Sequence, residues 1–249
     1  MNEKIRQILV PVATLGVIFV NYLAATGAIN NVTPEVISDK YQTILTPAGY
    51  AFSIWGLIYI GVIAFSVFQL LPSQRDNSSL KPVRTLYILS CAANCGWIFF
   101  WHYGIIVGAL GVILILLASL FLISLKLEDS GSAAETLCAK LPFSIYFGWV
   151  TVASILNFSI ALVYLGLMPA GNGERILGVV LIALAICLGV FVRFMYRLSA
   201  YPLAIAWALT AIAVAHGGET AILISCSIGV IILLLASLSS LLNMKSSAA

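Results

Sequence analysis

Long apolar runs broken by short polar segments set the pattern of this chain. Eight stretches approach the roughly 20 apolar residues that cross a bilayer as a helix: 7–26, 48–71, 83–102, 104–125, 141–167, 175–196, 199–216 and 220–243. The run 108–125 has neither charge nor alternation, whereas barrel strands alternate over about 10 residues. In lipid each backbone amide must be satisfied within its own segment, so every run predicts a helix. Between them lie polar breaks at 71–79 and 128–140 and a Pro-Ala-Gly-Asn-Gly turn at 169–173. The break Trp101–Gly104 is so short that the third and fourth runs predict a tight antiparallel hairpin. In the connection 27–46, Thr33, Pro34 and Glu35 predict a short capped helix ending near Tyr41. Pro47 stands where the second long helix begins. The predicted fold class is all-α, a polytopic membrane helical bundle with no internal repeat.

Composition agrees with the pattern. Hydrophobic residues make up 62% of the 249 and charged residues 8%, against about half and a quarter in soluble domains. A water-soluble globule is excluded, and so is disorder, which requires few apolar residues. A net charge of +3 gives no basis for a nucleic-acid partner. The positions of the charges say more. With the N-terminus on one side, that side holds Lys4, Arg6, Arg75, Lys81, Arg84, Lys126, Lys140, Arg193, Arg197 and Lys245, and the other only Lys40 and Arg175. The excess predicts cytoplasmic termini. Lys4 and Arg6 before an apolar core also fit a signal peptide, but the core is long and Asn21 interrupts any cleavage site. Cys91, Cys95, Cys138, Cys187 and Cys226 show no CxxC pairing and read as small packing residues.

No span carries an ionisable group near its centre, which argues against a proton-coupled pump. Aromatic and amide residues are more informative. Phe52, Trp55, Tyr59, Val62 and Ser66 share one face of the second span. Tyr87, Cys91, Asn94, Trp97 or Ile98, and Trp101 share one face of the third, and Pro142, Tyr146, Trp149, Ala153 and Asn157 one face of the fifth. Such stripes suit a flat apolar ligand, because ring stacking needs no charge. The competing reading is packing or an interfacial belt. The belt is favoured for Trp101, Tyr103, Tyr196 and Tyr201, while Trp55, Trp97 and Trp149 lie deeper and fit a pocket or packing equally. Asn21, Asn94 and Asn157 are costly against lipid and are expected to form interhelical hydrogen bonds. His102 and His216 fall in outer turns and read as interfacial residues before metal ligands. Arg193 and Arg197 are expected to meet lipid headgroups.

Three segments together resemble the TspO/MBR family, the tryptophan-rich sensory proteins related to the mitochondrial translocator protein or peripheral benzodiazepine receptor. YQTILTPAGYAFSIWGLIY (41–59) is similar to the entry to that family's second helix. NCGWIFF (94–100) is similar to its third-helix Asn-x-x-Trp-x-x-Phe signature. LPFSIYFGWVTVASILN (141–157) is similar to its fifth-helix Pro-Tyr-x-x-x-Trp signature, with a longer gap from proline to tryptophan. The resemblance covers roughly residues 5–168. It implies a five-helix transmembrane unit (1–168), here followed by a three-helix transmembrane extension (169–249). It further implies a pocket for porphyrins or other flat apolar ligands under the first loop, and a homodimer as the common assembly. Carried over by position, the implied ligand contacts are Tyr41, Pro47, Phe52, Trp55, Tyr59, Asn94, Trp97, Pro142, Phe143, Trp149 and Asn157.

Departures narrow the expectation. Lys40-Tyr41 and Thr46-Pro47-Ala48 stand where the family has Trp-Tyr and Pro-Pro pairs. The tryptophan that follows the fifth-helix asparagine is missing after Asn157, which weakens any porphyrin-degrading activity. No basic residue follows Tyr164 in the manner of the animal cholesterol motif. The expected function is therefore a bacterial plasma-membrane protein that senses or carries a tetrapyrrole-like molecule, with no enzymatic activity and no bound cofactor. A transporter of a small neutral or amphipathic solute is the alternative.

Overall fold

The computed structural model describes residues 3–127 and 132–246, with backbone alone for 240–246. The described residues form helices and turns without a strand. In order, these are α1 (Glu3–Ala25), α2 (Pro34–Lys40), a 3-10 turn (Gly49–Ser53) leading into α3 (Ile54–Leu70), a 3-10 turn (Pro72–Gln74), α4 (Leu80–His102) and α5 (Ile106–Lys126). Then α6 (Ala133–Glu135) continues through a π-helical turn (Thr136–Lys140) into α7 (Leu141–Tyr164), followed by α8 (Asn172–Met195), α9 (Tyr201–Ala215) and α10 (Thr220–Ser246). The protein is an all-α, multi-pass membrane bundle.

Local sequence explains the breaks. After α1, α4 and α7 a glycine at positive φ (Gly27, Gly104 and Gly166) turns the chain. At each, the next amide reaches back to a carbonyl of the last turn, as Ile105 does to Phe100 at 2.9 Å. This glycine-dependent closure satisfies carbonyls that a helix end leaves open and makes the tight α4–α5 hairpin. Thr33 precedes α2 in extended conformation with Pro34 next, as the sequence predicts, but the Thr33 side chain makes no capping hydrogen bond. Two further expectations change. The second long helix does not begin at Pro47: a 3-10 turn starts at Gly49 and α3 at Ile54. The polar stretch 128–140 is helical from Ala133 onward, because the Ser132 hydroxyl accepts the Glu135 amide at 3.0 Å and starts a helix there. Residues 128–131 lie outside the described residues.

Among the described residues, seven helices are long and apolar enough to cross a membrane. The eighth expected span is the 15-residue α9, about 22 Å long at 1.5 Å per residue. Contacts within its own unit show what this short helix does. Arg175, at the start of α8, pairs with Glu219, just before α10, at 2.9 Å. At the other end the Ser237 hydroxyl of α10 donates to the Ser199 carbonyl at 2.6 Å, and Arg193 Nε of α8 to the Ala236 carbonyl at 3.1 Å. The helices α8 and α10 thus run parallel. With its flanking turns, α9 makes the return between their two ends.

Two compact units divide the contacts. The first comprises the chain to Tyr41 together with Trp55–Phe143, and the second Gln42–Ile54 together with Ser144 to the C-terminus. In the first, α4 is central and packs on α1, α2 and α5. In the second, α8, α9 and α10 pack on one another, and the 3-10 turn Gly49–Ser53 packs on α9. Glycines let these helices approach closely: a Cβ at Gly229 would lie 2.6 Å from Ile186 and 2.8 Å from Leu209. Small residues at helix contacts are the usual means of association in lipid, where apolar burial between helices contributes little.

Candidate functional site

In the first unit the aromatic stripes resolve into packed groups. Trp55 and Tyr59, one turn apart on α3, stack at 5.7 Å and are half-buried. Trp97 and Trp101 stack at 5.5 Å on α4 and are buried. Asn94 is fully buried and its amide oxygen accepts from Asn21 Nδ2 at 2.7 Å. Phe143 makes a triangle of edge-on rings with Phe65 and Tyr87, with centroids 4.9 to 5.6 Å apart. Pro142 lies against Gly61, where a Cβ would come within 2.8 Å of the proline's own. Tyr41 follows α2, half-buried, with the Lys40 ammonium 5.2 Å from its ring centre.

Polar groups tie these stripes to α1. The Thr14 hydroxyl lies 2.6 Å from that of Ser66 and 2.7 Å from that of Tyr87, linking three helices. At the outer turn, Trp101 Nε1 donates to the Pro34 carbonyl at 3.2 Å, and Asn30 Nδ2 to the His102 carbonyl at 2.7 Å. Trp101 is therefore a buried anchor for α2 and not the interfacial ring expected of it. His102 is buried as well, its Nδ1 set 2.8 Å from the Ile98 carbonyl.

In the second unit Phe52 and Trp149 meet edge to face at 6.2 Å. Asn157 Nδ2 bonds the Ala153 carbonyl one turn earlier at 2.8 Å. Pro47 is buried in a segment fastened at many points to α8 and α9. The Ile44 amide donates to Glu174 Oε1 at 3.2 Å, and the Ala48 amide to the Ala211 carbonyl at 3.1 Å. Trp207 Nε1 donates to the Ala51 carbonyl at 3.0 Å, and its ring meets Tyr50 edge-on at 5.4 Å. His216 Nε2 lies 3.0 Å from the Thr46 carbonyl. Sequence patterning singled out none of Glu174, Tyr50 or Trp207. The available signal was Trp207 itself, a lone indole at mid-helix rather than at a span end.

Two other expectations change in this unit. Tyr201 is not an interfacial ring: it is buried, its hydroxyl 2.8 Å from that of Thr151 and its ring 4.7 Å from Phe147. Arg193 faces α10 rather than headgroups, with Nη2 also donating to Ser239 at 3.2 Å. Among the described residues no three His, Cys, Asp or Glu gather as a metal site.

A family model described as TSPO-like protein matches residues 7–239. The chain belongs to the TspO/MBR family. The match runs well past residue 168, where the resemblance read from the sequence ends, and takes in α8, α9 and most of α10 of this TSPO-like chain. Searches among curated proteins and among solved structures return no match.

Proposed function

We propose that this TSPO-like protein binds a flat hydrophobic ligand of the tetrapyrrole class on its aromatic residues, as a sensor or carrier. The observation that carries the reading is the half-buried Trp55–Tyr59 stack in a family-signature segment. A stacked pair of neutral rings offers the surface that a porphyrin plane recognises, and it does so without placing a charge in lipid. Phe52 and Trp149 supply a second ring pair on signature positions. Of the implied contacts, Phe143 and Asn94 are already engaged by neighbouring side chains, so we assign them to holding the helices in place. Titration of protoporphyrin into the purified protein is expected to quench tryptophan fluorescence. Trp55→Ala is expected to weaken that binding about tenfold, the equivalent of one ring contact. Absence of quenching, together with a purified protein free of tetrapyrrole absorbance, would overturn the reading. Porphyrin uptake into proteoliposomes marks a carrier, and binding without uptake a sensor. Light-dependent loss of bound porphyrin absorbance would point to an enzyme instead.

Both termini are assigned to the cytoplasm of a bacterial plasma membrane, supported by the ten-to-two division of Lys and Arg and by the return run of α9. A tag after Ala249 is expected to resist protease added to intact spheroplasts and to be cleaved after lysis. Cleavage in intact spheroplasts would place the C-terminus outside.

A further inference from the structure

Residues 42–48 are non-helical and Gly49–Ser53 forms a single 3-10 turn, and a backbone outside a regular helix in a membrane protein needs protein partners for its amides and carbonyls. Some of those partners lie within the segment: the Thr43 amide donates to Thr46 Oγ1 at 2.9 Å and the Leu45 amide to Thr43 Oγ1 at 3.1 Å. The partners that fix its position lie on α8, on α9 and in the turn after α9, namely Glu174, Ala211, Trp207 and His216. Steric fit adds to this, because a Cβ at Gly178 would press on the Ile44 side chain. The helices α8 and α9 thus do more than add spans. They grip both ends of the stretch that contains Pro47 and Phe52.

We infer that α8 and α9 form a cradle for the segment Pro47–Phe52, with Glu174, Trp207 and His216 as positioning residues for ligand recognition. The cradle itself follows from these contacts; its role in recognition rests on the ligand reading above. A segment held in its bound conformation pays no ordering cost when the ligand arrives. Loss of one anchoring hydrogen bond is therefore expected to weaken binding through mobility of the segment, without removal of any ligand contact.

Hydrogen exchange read by mass spectrometry over 42–54 in the full-length protein tests the cradle directly. The variants are Trp207→Phe, which keeps a ring against Tyr50 but has no N–H for Ala51, His216→Ala and Glu174→Gln. Exchange at Ala48 and Ala51 is expected to rise about tenfold in Trp207→Phe, the equivalent of one lost hydrogen bond. Exchange over Thr43–Thr46 is expected to rise in the other two. Protoporphyrin affinity should fall about fivefold to tenfold in Trp207→Phe while the thermal midpoint stays near wild type. Unchanged exchange in all three variants overturns the cradle. Faster exchange with unchanged porphyrin affinity overturns the positioning role. A wild-type protein that binds no protoporphyrin defeats the ligand reading, and the exchange rates then decide the cradle by themselves.

Discussion

Arg84→Ala is expected to destabilise the first unit by about 3 kcal/mol, the range for removing one partner of a buried charge network. Arg84 has no exposed surface. Its Nε donates to Gln69 Oε1 at 3.1 Å, and its Nη1 to Glu3 Oε2 and to the Arg75 carbonyl, each at 3.1 Å. Its Nη2 donates to the Gln74 carbonyl. Gln69 Nε2 in turn donates to the Gln7 carbonyl at 3.0 Å, and Gln7 Nε2 donates to the Gln69 carbonyl at 2.8 Å. One guanidinium therefore joins α1, α3, α4 and the 3-10 turn Pro72–Gln74. Alanine would leave the Gln74 and Arg75 carbonyls without this donor and open a void where the stem packs.

The energy lies more in the geometry of the fork than in the Glu3 pair, because the Glu3 side chain is 26% exposed and solvent screens such a pair. Glu3→Gln is thus expected to cost under about 1 kcal/mol. Arg84→Lys should fall between the two, keeping the charge but not the planar set of donors. Apparent thermal midpoints in detergent check the order, with Arg84→Ala lowest by roughly 6 °C or more. A wild-type midpoint for Arg84→Ala would refute the network's importance.

Arg84 also shows where sequence reading stops. Its charge was legible and was counted with the N-terminal side of the chain, but its burial depends on Gln69, Gln7 and Glu3, which periodicity does not connect to it. Helices and turns were legible because a bilayer writes them one-dimensionally, as apolar runs and glycine turns. Asn21 and Asn94 were each expected to seek a partner on another helix, since an amide facing lipid is costly, and they found each other. Trp101 and Tyr201 were misread as interfacial because their nearness to span ends is visible and their burial is not. The cradle was invisible for a related reason: it joins residues 44–51 to 174–216 through backbone groups, which leave no trace in residue type. Phe52 and Trp149 were legible from the aromatic stripes as well as from the family signature, but their contact with each other was not.

Gly148→Val is expected to be the most damaging single change in the second unit. A Cβ at Gly148 would strike the Tyr201 carbonyl at the first turn of α9 and come within 3.0 Å of the Ala204 Cβ. A backbone carbonyl cannot swing aside as a side-chain end can, so α7 and α9 must separate. Their contact is specific: Thr151 lies one turn beyond Gly148 and reaches the Tyr201 hydroxyl at 2.8 Å, while Phe147 packs on the same ring. Even Gly148→Ala is expected to cost about 2 kcal/mol, within the range for overpacking, and valine more. Because α9 also carries Ala211, Trp207 and the turn with His216, displacing it should loosen the segment it holds. Gly148→Ala is therefore expected to lower the thermal midpoint and also to speed amide exchange at Ala48, some hundred positions away in the chain. An unchanged midpoint would show that α7 and α9 do not meet backbone to backbone. A lowered midpoint with wild-type exchange at Ala48 would show that the segment's hold on α9 survives the separation of the two helices.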